Sequence, residues 1–300
     1  MAGLLLRVKT KMSLYAHRKT LDLLEGGYAS VHRGRSHDFD DLRAYVPGDE
    51  VKDIDWKATA RHGEPLVKRY VASRRHNLAL LVDTGRNMAA TAESGESKKD
   101  IAIMAAGALA YIATRHGDVV SMVVGDEGGT RDFPTGQKDE HLERLLRVID
   151  ERVNLDGQRS DVVGLLGSVA RRLTTRSMLL IVTDDIRLDD DLLAIVKRLR
   201  ARHEVLWLTI GDADLMRSAP VRSTGGRGDV YDVQEIAALP AYVRSNRHLA
   251  ALFDEVAEEN TATTEHELRL LGVTSHRIAS QKDVVPGLFA LLEKHRRAER

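Results

Sequence analysis

Cysteine is absent from this chain of 300 residues. Its absence excludes disulfide bridges, thiolate metal sites and thiol nucleophiles, and it is compatible with a reducing compartment. Long hydrophobic runs are absent as well, because no apolar run approaches the roughly 20 residues that span a bilayer. Residues 1–11 lack the hydrophobic stretch and cleavage site of a signal peptide. We therefore expect a cytoplasmic protein without a membrane span.

Aromatic residues are scarce, at 4% of the chain, so the core must consist mostly of Leu, Val, Ile and Ala. Neither sign of charge is in excess, because 45 Lys and Arg balance 45 Asp and Glu. No overall field therefore draws the chain to nucleic acid, and its basic clusters lack the interleaved aromatics of a single-strand binder. The lysine motif of a phosphate-binding loop is also missing, so we expect neither ATP hydrolysis nor a small-molecule substrate.

The pattern of apolar residues divides the chain near residue 76. Before it, apolar runs are short and broken by charge, which predicts an N-terminal helix and arm over residues 1–75. After it, strand-like runs alternate with helical stretches, which predicts one α/β domain over residues 76–300. The clearest strand runs are residues 78–82, 119–124, 178–182 and 204–210. Such alternation is typical of a mainly parallel sheet covered by helices.

Asp83 and Asp184 each follow a buried-strand run directly. Because parallel strands present their carboxyl ends at one edge of a sheet, we expect the two side chains to lie close together. Two acids there are costly unless they are solvated, paired or bound to a cation, and their oxygens suit Mg²⁺, Mn²⁺ or Ca²⁺. Either aspartate alone is also typical of a turn or helix cap, and this interpretation stays open.

Residues 82–88, VDTGRNM, resemble the first metal-site segment of von Willebrand factor A domains, in which an aspartate is followed by two serines at alternate positions. Residues 182–185, VTDD, resemble the later strand-end Thr-Asp of the same domains. The resemblance implies a von Willebrand factor A-like, doubly wound, mainly parallel sheet.

The same resemblance implies a site for Mg²⁺ or Mn²⁺, with Asp83 and Asp184 as carboxylate ligands. Gly85 stands at the first serine position and offers no ligand, whereas Asn87 stands at the second and could offer a carbonyl oxygen. Ser160 is our candidate for the threonine that the family has in a later loop. A degenerate site that binds a partner without metal remains the alternative.

The N-terminal part contains a charge-dense stretch, residues 39–61, with the sequence FDDLRAYVPGDEVKDIDWKATAR. Its aspartates can pair with its basic residues, and its apolar side chains could fasten the arm to the α/β domain, with the tryptophan buried. The side chains that we expect to hold the arm together or to bind a partner are Arg43, Tyr45, Asp49, Asp55, Trp56 and Arg61. An acid–base catalytic set is the alternative, but a structural network is the more economical interpretation.

This stretch closely resembles the signature of the bacterial family called domain of unknown function 58, F-x-x-L-R-x-Y-x-P-G-D-x-x-R-x-I-D-W-x-x-x-A-R. The one departure is that Lys52 or Asp53 falls where an arginine is usual. The resemblance implies an adaptor or chaperone subunit that acts with MoxR-type AAA+ ATPases and client proteins. It implies no enzymatic activity. Many members carry transmembrane helices, which we do not expect here.

Three functions are therefore in competition. The first is a non-enzymatic adaptor or chaperone-like binding protein that acts with a MoxR-type ATPase. The second is a receptor that depends on a divalent metal held by Asp83, Asn87 and Asp184. The third and least favoured is a metal-dependent hydrolase, because no set of histidines accompanies the strand-end acids.

Overall fold

The computed structural model of the chain describes residues 3–15, 24–28, 39–46, 49, 54–70, 76–213, 230–233, 237–239 and 246–298. Its strands are β1 (Phe39–Ala44), β2 (Leu66–Tyr70), β3 (Asn77–Asp83), β4 (Val119–Asp126), β5 (Gly129–Gly136), β6 (Met178–Asp184), β7 (Glu204–Ile210), β8 (Val230–Asp232), β9 (Ala237–Leu239) and β10 (Thr274–Ile278). Its helices are α1 (Leu4–Tyr15), α2 (Trp56–His62), α3 (Lys98–Arg115), α4 (Asp139–Arg152), α5 (Val162–Arg172), α6 (Asp190–Arg200), α7 (Arg247–Leu270) and α8 (Val284–Ala298). A short 3₁₀ helix spans Arg86–Ala89.

Six strands form the central sheet in the order β10-β7-β6-β3-β4-β5. All neighbours are parallel except β5, which runs antiparallel to β4 at one edge. The chain first builds outward from β3 to β4 and β5, and then returns to add β6, β7 and β10 on the other side of β3. This order confirms the predicted von Willebrand factor A-like, doubly wound α/β fold. It also places the reversal of strand order between β3 and β6.

The strands are apolar because both faces of the sheet are covered. In β3, Leu80 and Val82 belong to one core, while Ala79 and Leu81 belong to the other. Helices α1, α3, α4 and α8 pack on the first face, and α5, α6 and the end of α7 pack on the second. A strand that is buried on both faces needs a continuous apolar run rather than an alternating one, and β3 and β6 have such runs.

Helix α1 shares the core of the α/β domain. Three of its apolar side chains, Leu5, Val8 and Met12, are buried in the first core. Gly107 of α3 permits this approach, because a Cβ there would lie 2.9 Å from a methyl group of Val8. The carboxylate of Glu143 in α4 accepts the N–H groups of Leu4 at 3.1 Å and of Leu5 at 2.8 Å, and so caps the start of α1. The domain boundary at residue 75 stays a prediction, but α1 packs with the part that follows it.

The arm forms a sheet of its own, in which β1 and β2 pair antiparallel with α2 between them in the chain. Asp55 caps α2 by accepting the N–H groups of Lys57 and Ala58, both at 3.0 Å. The expectation that Trp56 is buried was wrong, since it is 64% exposed. The reason is that Trp56 is the first residue of α2, a helix with no buried residue. Residues 47–48 and 50–53 of the arm lie outside the described residues.

Candidate functional site

The reversal of strand order brings two buried carboxylates together. Asp83 ends β3 and is fully buried, and Asp184 ends β6 and is 2% exposed. Burial raises the pKa of Asp83 to about 6 and that of Asp184 to about 7, and the nearby charge of Asp83 adds to the rise at Asp184. The two strand-end acids therefore form one site, as their positions in the sequence predicted.

Gly85 shapes the loop that follows β3. Its N–H donates to Asp83 Oδ1 at 2.8 Å, and the 3₁₀ helix behind it carries Asn87. A Cβ at Gly85 would collide with the backbone and the hydroxyl of Ser160, although the φ of −65° at Gly85 suits any residue. Glycine is thus required by the approach of Ser160. The hydroxyl of Ser160 lies where a serine side chain at position 85 would begin.

Ser160 is positioned by the residues on either side of it. The carboxylate of Asp161 caps α5 by accepting the N–H of Gly164 at 2.8 Å. The carbonyl of Gln158 accepts the N–H of Arg86 at 2.8 Å, which ties this loop to the one after β3. The Ser160 hydroxyl comes close enough to Asp83 to offset part of the rise in the pKa of that carboxyl, but without the geometry of a hydrogen bond.

One buried oxygen of each predicted ligand has no hydrogen-bond partner among the described residues. These atoms are Asp83 Oδ2, Asn87 Oδ1, Ser160 Oγ and Asp184 Oδ1. Leaving a buried polar atom unpaired costs about 1–3 kcal/mol. Four such oxygens at the carboxyl ends of β3 and β6 therefore indicate a binding site that a cation or donor from outside the chain would complete.

A lysine that the sequence analysis missed lies inside this site. Lys98, the first residue of α3, is fully buried and forms an ion pair with Asp212. Its ammonium nitrogen also lies 3.8 Å from Asp184 Oδ2, whereas the unpaired oxygen of this carboxylate is Oδ1. Lys98 is therefore a built-in counter-ion for the strand-end acids.

One local signal could have pointed to Lys98. Lys98 and Lys99 occupy the first turn of α3, where the helix dipole disfavours positive charge. The charge of Lys99 is offset by an ion pair with Asp150, at 3.2 Å, near the surface. Only the folded chain shows that Lys98 turns inward instead, because its partner Asp212 lies 114 residues away in sequence.

A second ion-pair network braces the same edge of the sheet. Arg277, which is in β10, donates to both oxygens of Asp185, at 3.2 and 2.8 Å, and to Glu93 at 2.6 Å. Asp185 also accepts the N–H of Asp212 at 3.0 Å. These bonds join the ends of β6, β7 and β10 to the loop before α3. They hold Asp212 where Lys98 can reach it.

The opposite side of the site is closed by Asp126, at the end of β4. Its Oδ2 accepts from Arg152 at 2.7 Å and from the hydroxyl of Thr84 at 3.3 Å. Thr84 in turn donates its N–H to the carbonyl of Gly125 at 2.9 Å. Asp126 is therefore paired within the chain, and in the part of the chain that the structure describes the unpaired buried side-chain oxygens belong to the four predicted residues.

The donor set fits a hard divalent cation. All four open atoms are oxygens, from two carboxylates, an amide and a hydroxyl, which is the chemistry that Mg²⁺ and Mn²⁺ prefer. With all three carboxylates ionised, Asp83, Asp184 and Asp212 would carry three negative charges against one positive charge on Lys98. The difference of two would be balanced by a divalent ion. Among the described residues no three His, Asp or Glu gather as a metal cluster, so such an ion would depend on Asn87 and Ser160 as well.

The predicted arm residues lie in the separate two-stranded sheet and its helix. Arg43 donates to both carboxylate oxygens of Asp49, at 2.7 and 2.6 Å, and this guanidinium lowers the pKa of Asp49. Tyr45 donates its N–H to the carbonyl of Pro65 at 2.9 Å, which joins β1 to the segment before β2. Arg61 lies in the last turn of α2 and is exposed. The Arg43–Asp49 pair is an ion pair of the kind predicted, whereas Asp55 accepts backbone N–H groups as a helix cap, a role that the sequence analysis did not predict.

Comparison with protein families identifies the chain. A model described as "Protein of unknown function DUF58" matches residues 41–218, which is more than half of the 300 residues. The chain belongs to the DUF58 family. The match begins in β1 and ends after β7, so this DUF58 protein carries both the arm and the strand-end site within the matched region.

Several relatives of this DUF58 protein have names that describe them as uncharacterized. The uncharacterized proteins Mb1516 of Mycobacterium bovis and Rv1480 of Mycobacterium tuberculosis are each 26% identical to it over 205 residues, which cover 67% of this chain and 63% of theirs. The uncharacterized protein YeaD of Bacillus subtilis is 26% identical over 121 residues, which cover 40% of this chain and 28% of YeaD. The chain therefore spans less than two thirds of the length of these relatives.

Two solved structures resemble the DUF58 fold loosely. An aerotolerance-related membrane protein of Bacteroides fragilis is 17% identical with a TM-score of 0.44, and the match covers 73% of this chain and 99% of that one. A von Willebrand factor type A protein of Catenulispora acidiphila is 12% identical with a TM-score of 0.41, covering 75% and 43%. Within the described ranges of this chain, no helix combines the length and the hydropathy needed to cross a membrane.

Proposed function

We propose that this chain is a non-enzymatic adaptor or chaperone-like binding protein that acts with a MoxR-type AAA+ ATPase and its client proteins in the cytoplasm. The observation that carries the binding role is the set of four buried, unpaired oxygens at the strand ends. Their free-energy cost is recovered when a partner supplies the missing donor or cation. The ATPase as partner follows from the family resemblance of the arm.

The same geometry favours binding over catalysis. The raised pKa values of Asp83 and Asp184 have a structural cause, burial at the strand ends, and Lys98 offsets part of the negative charge of the site. Arg43 and Asp49 bind each other, and Asp55 is engaged as a helix cap, so these two carboxylates of the arm already have structural partners. An acid–base catalytic set in the arm is therefore disfavoured. We rank the metal-dependent hydrolase last, because no set of histidines accompanies the strand-end acids in the sequence.

Co-purification tests the adaptor role. The tagged chain is incubated with a MoxR-type ATPase from the same organism, with and without ATP, and the complex is captured. We expect association with the wild type, and binding about tenfold weaker for Asp83→Ala, which changes the strand-end site. The exposed Asp156→Ala is the matched control and should bind as the wild type does. No association of the wild type in either nucleotide state would overturn the proposal.

A second candidate function is a receptor that uses a divalent metal in a degenerate adhesion site. It is favoured by the oxygen chemistry of the open atoms and by the negative charge that Asp83 and Asp184 would carry when both are ionised. Asp83, Asn87, Ser160 and Asp184 would hold the ion. The ion would supply a Lewis-acidic point to which an acidic side chain of a partner could bind.

Calorimetry distinguishes the two candidates. Titration of Mg²⁺ or Mn²⁺ into the wild type should release or absorb heat, and Asp83→Ala should abolish this heat because one charged ligand is lost. Asp156→Ala should again resemble the wild type. Equal absence of heat from the wild type and Asp83→Ala would exclude the metal and leave a partner side chain as the missing donor.

A further inference from the structure

A concave surface lies beside the strand-end site. It is a cleft of about 740 Å³ between α7 and the ends of β6, β7 and β10. This volume lies within the range of about 300–1,000 Å³ that is usual for ligand sites in proteins. Asp185 and Asp212 line the cleft, so it borders the strand-end site without including Asp83, Asn87 or Ser160.

The cleft exists because α7 turns small and polar side chains toward the sheet. A surface helix normally packs a stripe of large apolar residues on the core. In α7 the corresponding stripe contains Ala257, Thr261 and Thr264, which line the cleft but are too small to fill it. Leu268, near the end of the helix, is buried in the second core. The sequence of α7 therefore leaves a space where a packed interface would be expected.

The lining of the cleft is acidic. Its acidic residues are Glu93, Asp185, Asp212, Asp254, Glu258 and Glu265, and its basic residues are Arg187 and Arg277. Arg277 is already paired with Asp185 and Glu93. Burial lowers the pKa of His276, so this lining residue adds no positive charge at neutral pH. With six acidic residues against two basic ones, the lining is negative on balance, and its exposed carboxylates include Glu258 and Glu265 of α7.

An apolar residue accompanies these acids. Phe253 lines the cleft and is 53% exposed. Its neighbours Leu252 and Val256 on α7 are also exposed. A small polyamine would be attracted by the charge and could place an ammonium group on the phenyl ring, but it has no bulky apolar side chain to cover that ring. A peptide segment with both basic and apolar side chains matches the whole lining.

We propose that this cleft binds a basic, partly apolar segment of a partner protein, whose Lys or Arg side chains meet Glu258 and Glu265 and whose apolar side chain packs on Phe253. The proposal builds on the proposed adaptor function, because it names the chemistry of the segment that the adaptor recognises. It relies on residues of α7 that the strand-end site does not use.

Fluorescence anisotropy with three labelled peptides tests this proposal on the full chain. The peptides have 12 residues and combine lysine with leucine, lysine with serine, or glutamate with leucine. We expect the lysine–leucine peptide to bind best, the lysine–serine peptide more weakly and the glutamate–leucine peptide not measurably. The affinity of the lysine–leucine peptide should fall as salt is raised from 50 to 200 mM, because the attraction is ionic.

Two double variants of one helix separate the cleft from the general charge of the chain. Glu258→Gln with Glu265→Gln removes two carboxylates from the lining and should weaken binding of the lysine–leucine peptide about fivefold or more. Glu255→Gln with Glu259→Gln removes the same charge from exposed positions of α7 outside the lining, and binding should not change. Phe253→Ser should weaken the lysine–leucine peptide but not the lysine–serine peptide.

Three outcomes would overturn the proposal. The first is equal binding of the acidic and basic peptides, and the second is an equal loss of peptide affinity in the two double variants. The third is a dimer that Phe253→Ser dissociates while no peptide binds, because the cleft would then bind a second copy of the chain. Asp156→Ala, at an exposed position outside the lining of the cleft, should bind the peptide as the wild type does. If the peptides bind as expected but the ATPase does not associate, peptide binding by the cleft is supported and the adaptor function with the ATPase is contradicted.

Discussion

Lys98→Met is expected to lower the free energy of unfolding by about 3 kcal/mol, as is usual when one partner of a buried ion pair is removed. Lys98 is fully buried, paired with Asp212 and 3.8 Å from Asp184. Methionine keeps most of the volume of lysine but not the charge. Asp184, which is itself buried, would then lose its counter-ion where water cannot replace it.

Urea unfolding at pH 7.5, in a buffer with a chelator, measures this loss. Lys99→Met is the matched control, since Lys99 is the next residue of α3 and pairs with Asp150 at a partly exposed position. The free energy of unfolding of Lys99→Met should fall by less than about 1 kcal/mol. When Mg²⁺ replaces the chelator in the buffer, Lys98→Met should regain part of its stability if a divalent ion can act as the counter-ion of Asp184. Equal losses in the two variants would show that Lys98 does not act as a buried counter-ion.

The stability of the wild type should carry a component that falls as the pH rises from about 4 to about 7, in a buffer without divalent ions. In the folded chain the pKa of Asp83 is about 6 and that of Asp184 about 7, both above the ordinary value of 3.8 that the unfolded chain would have. In this window the folded state binds more protons than the unfolded state. Stability from these groups is therefore fully present below pH 4 and is lost as they ionise.

Asp83→Asn isolates one of these groups. At pH 8 it should stabilise the chain by on the order of 2 kcal/mol, because a buried carboxylate charge is removed and a shift of one pKa unit corresponds to about 1.4 kcal/mol. At pH 4 it should change little, since Asp83 is then largely protonated. Asp156→Asn, at an exposed position, is the control. Thermal unfolding from pH 4 to 8 measures both, and a stabilisation of Asp83→Asn that does not depend on pH would contradict the assignment.

The parallel sheet and its strand-end acids were predictable because their signals are local. The apolar runs that became β3 and β6 are buried on both faces, and parallel strands must end at one edge, which brought Asp83 and Asp184 together. The role of the open oxygens as metal ligands stays a prediction. The arm motif likewise predicted that its aspartates pair with its basic residues, and the structure shows one such pair, Arg43 with Asp49, six residues apart.

Contacts across long stretches of sequence were not predictable in the same way. Trp56 was expected to be buried from its type alone, but α2 offers it no covering surface. The absence of a serine at position 85 weakened the resemblance to a metal site. In the fold, Ser160 lies 75 positions further along the chain and brings its hydroxyl to that point.

The sequence by itself determined the α/β class, the family and the two strand-end aspartates, because hydrophobic period and short motifs are properties of neighbouring residues. Only the tertiary structure decided that Gly85 makes room for Ser160, that Lys98 turns inward to Asp184 and Asp212, and that α7 leaves an acidic cleft. The reason is physical. Whether a charge is buried, paired or open depends on what packs against it, and those neighbours come from distant parts of the chain.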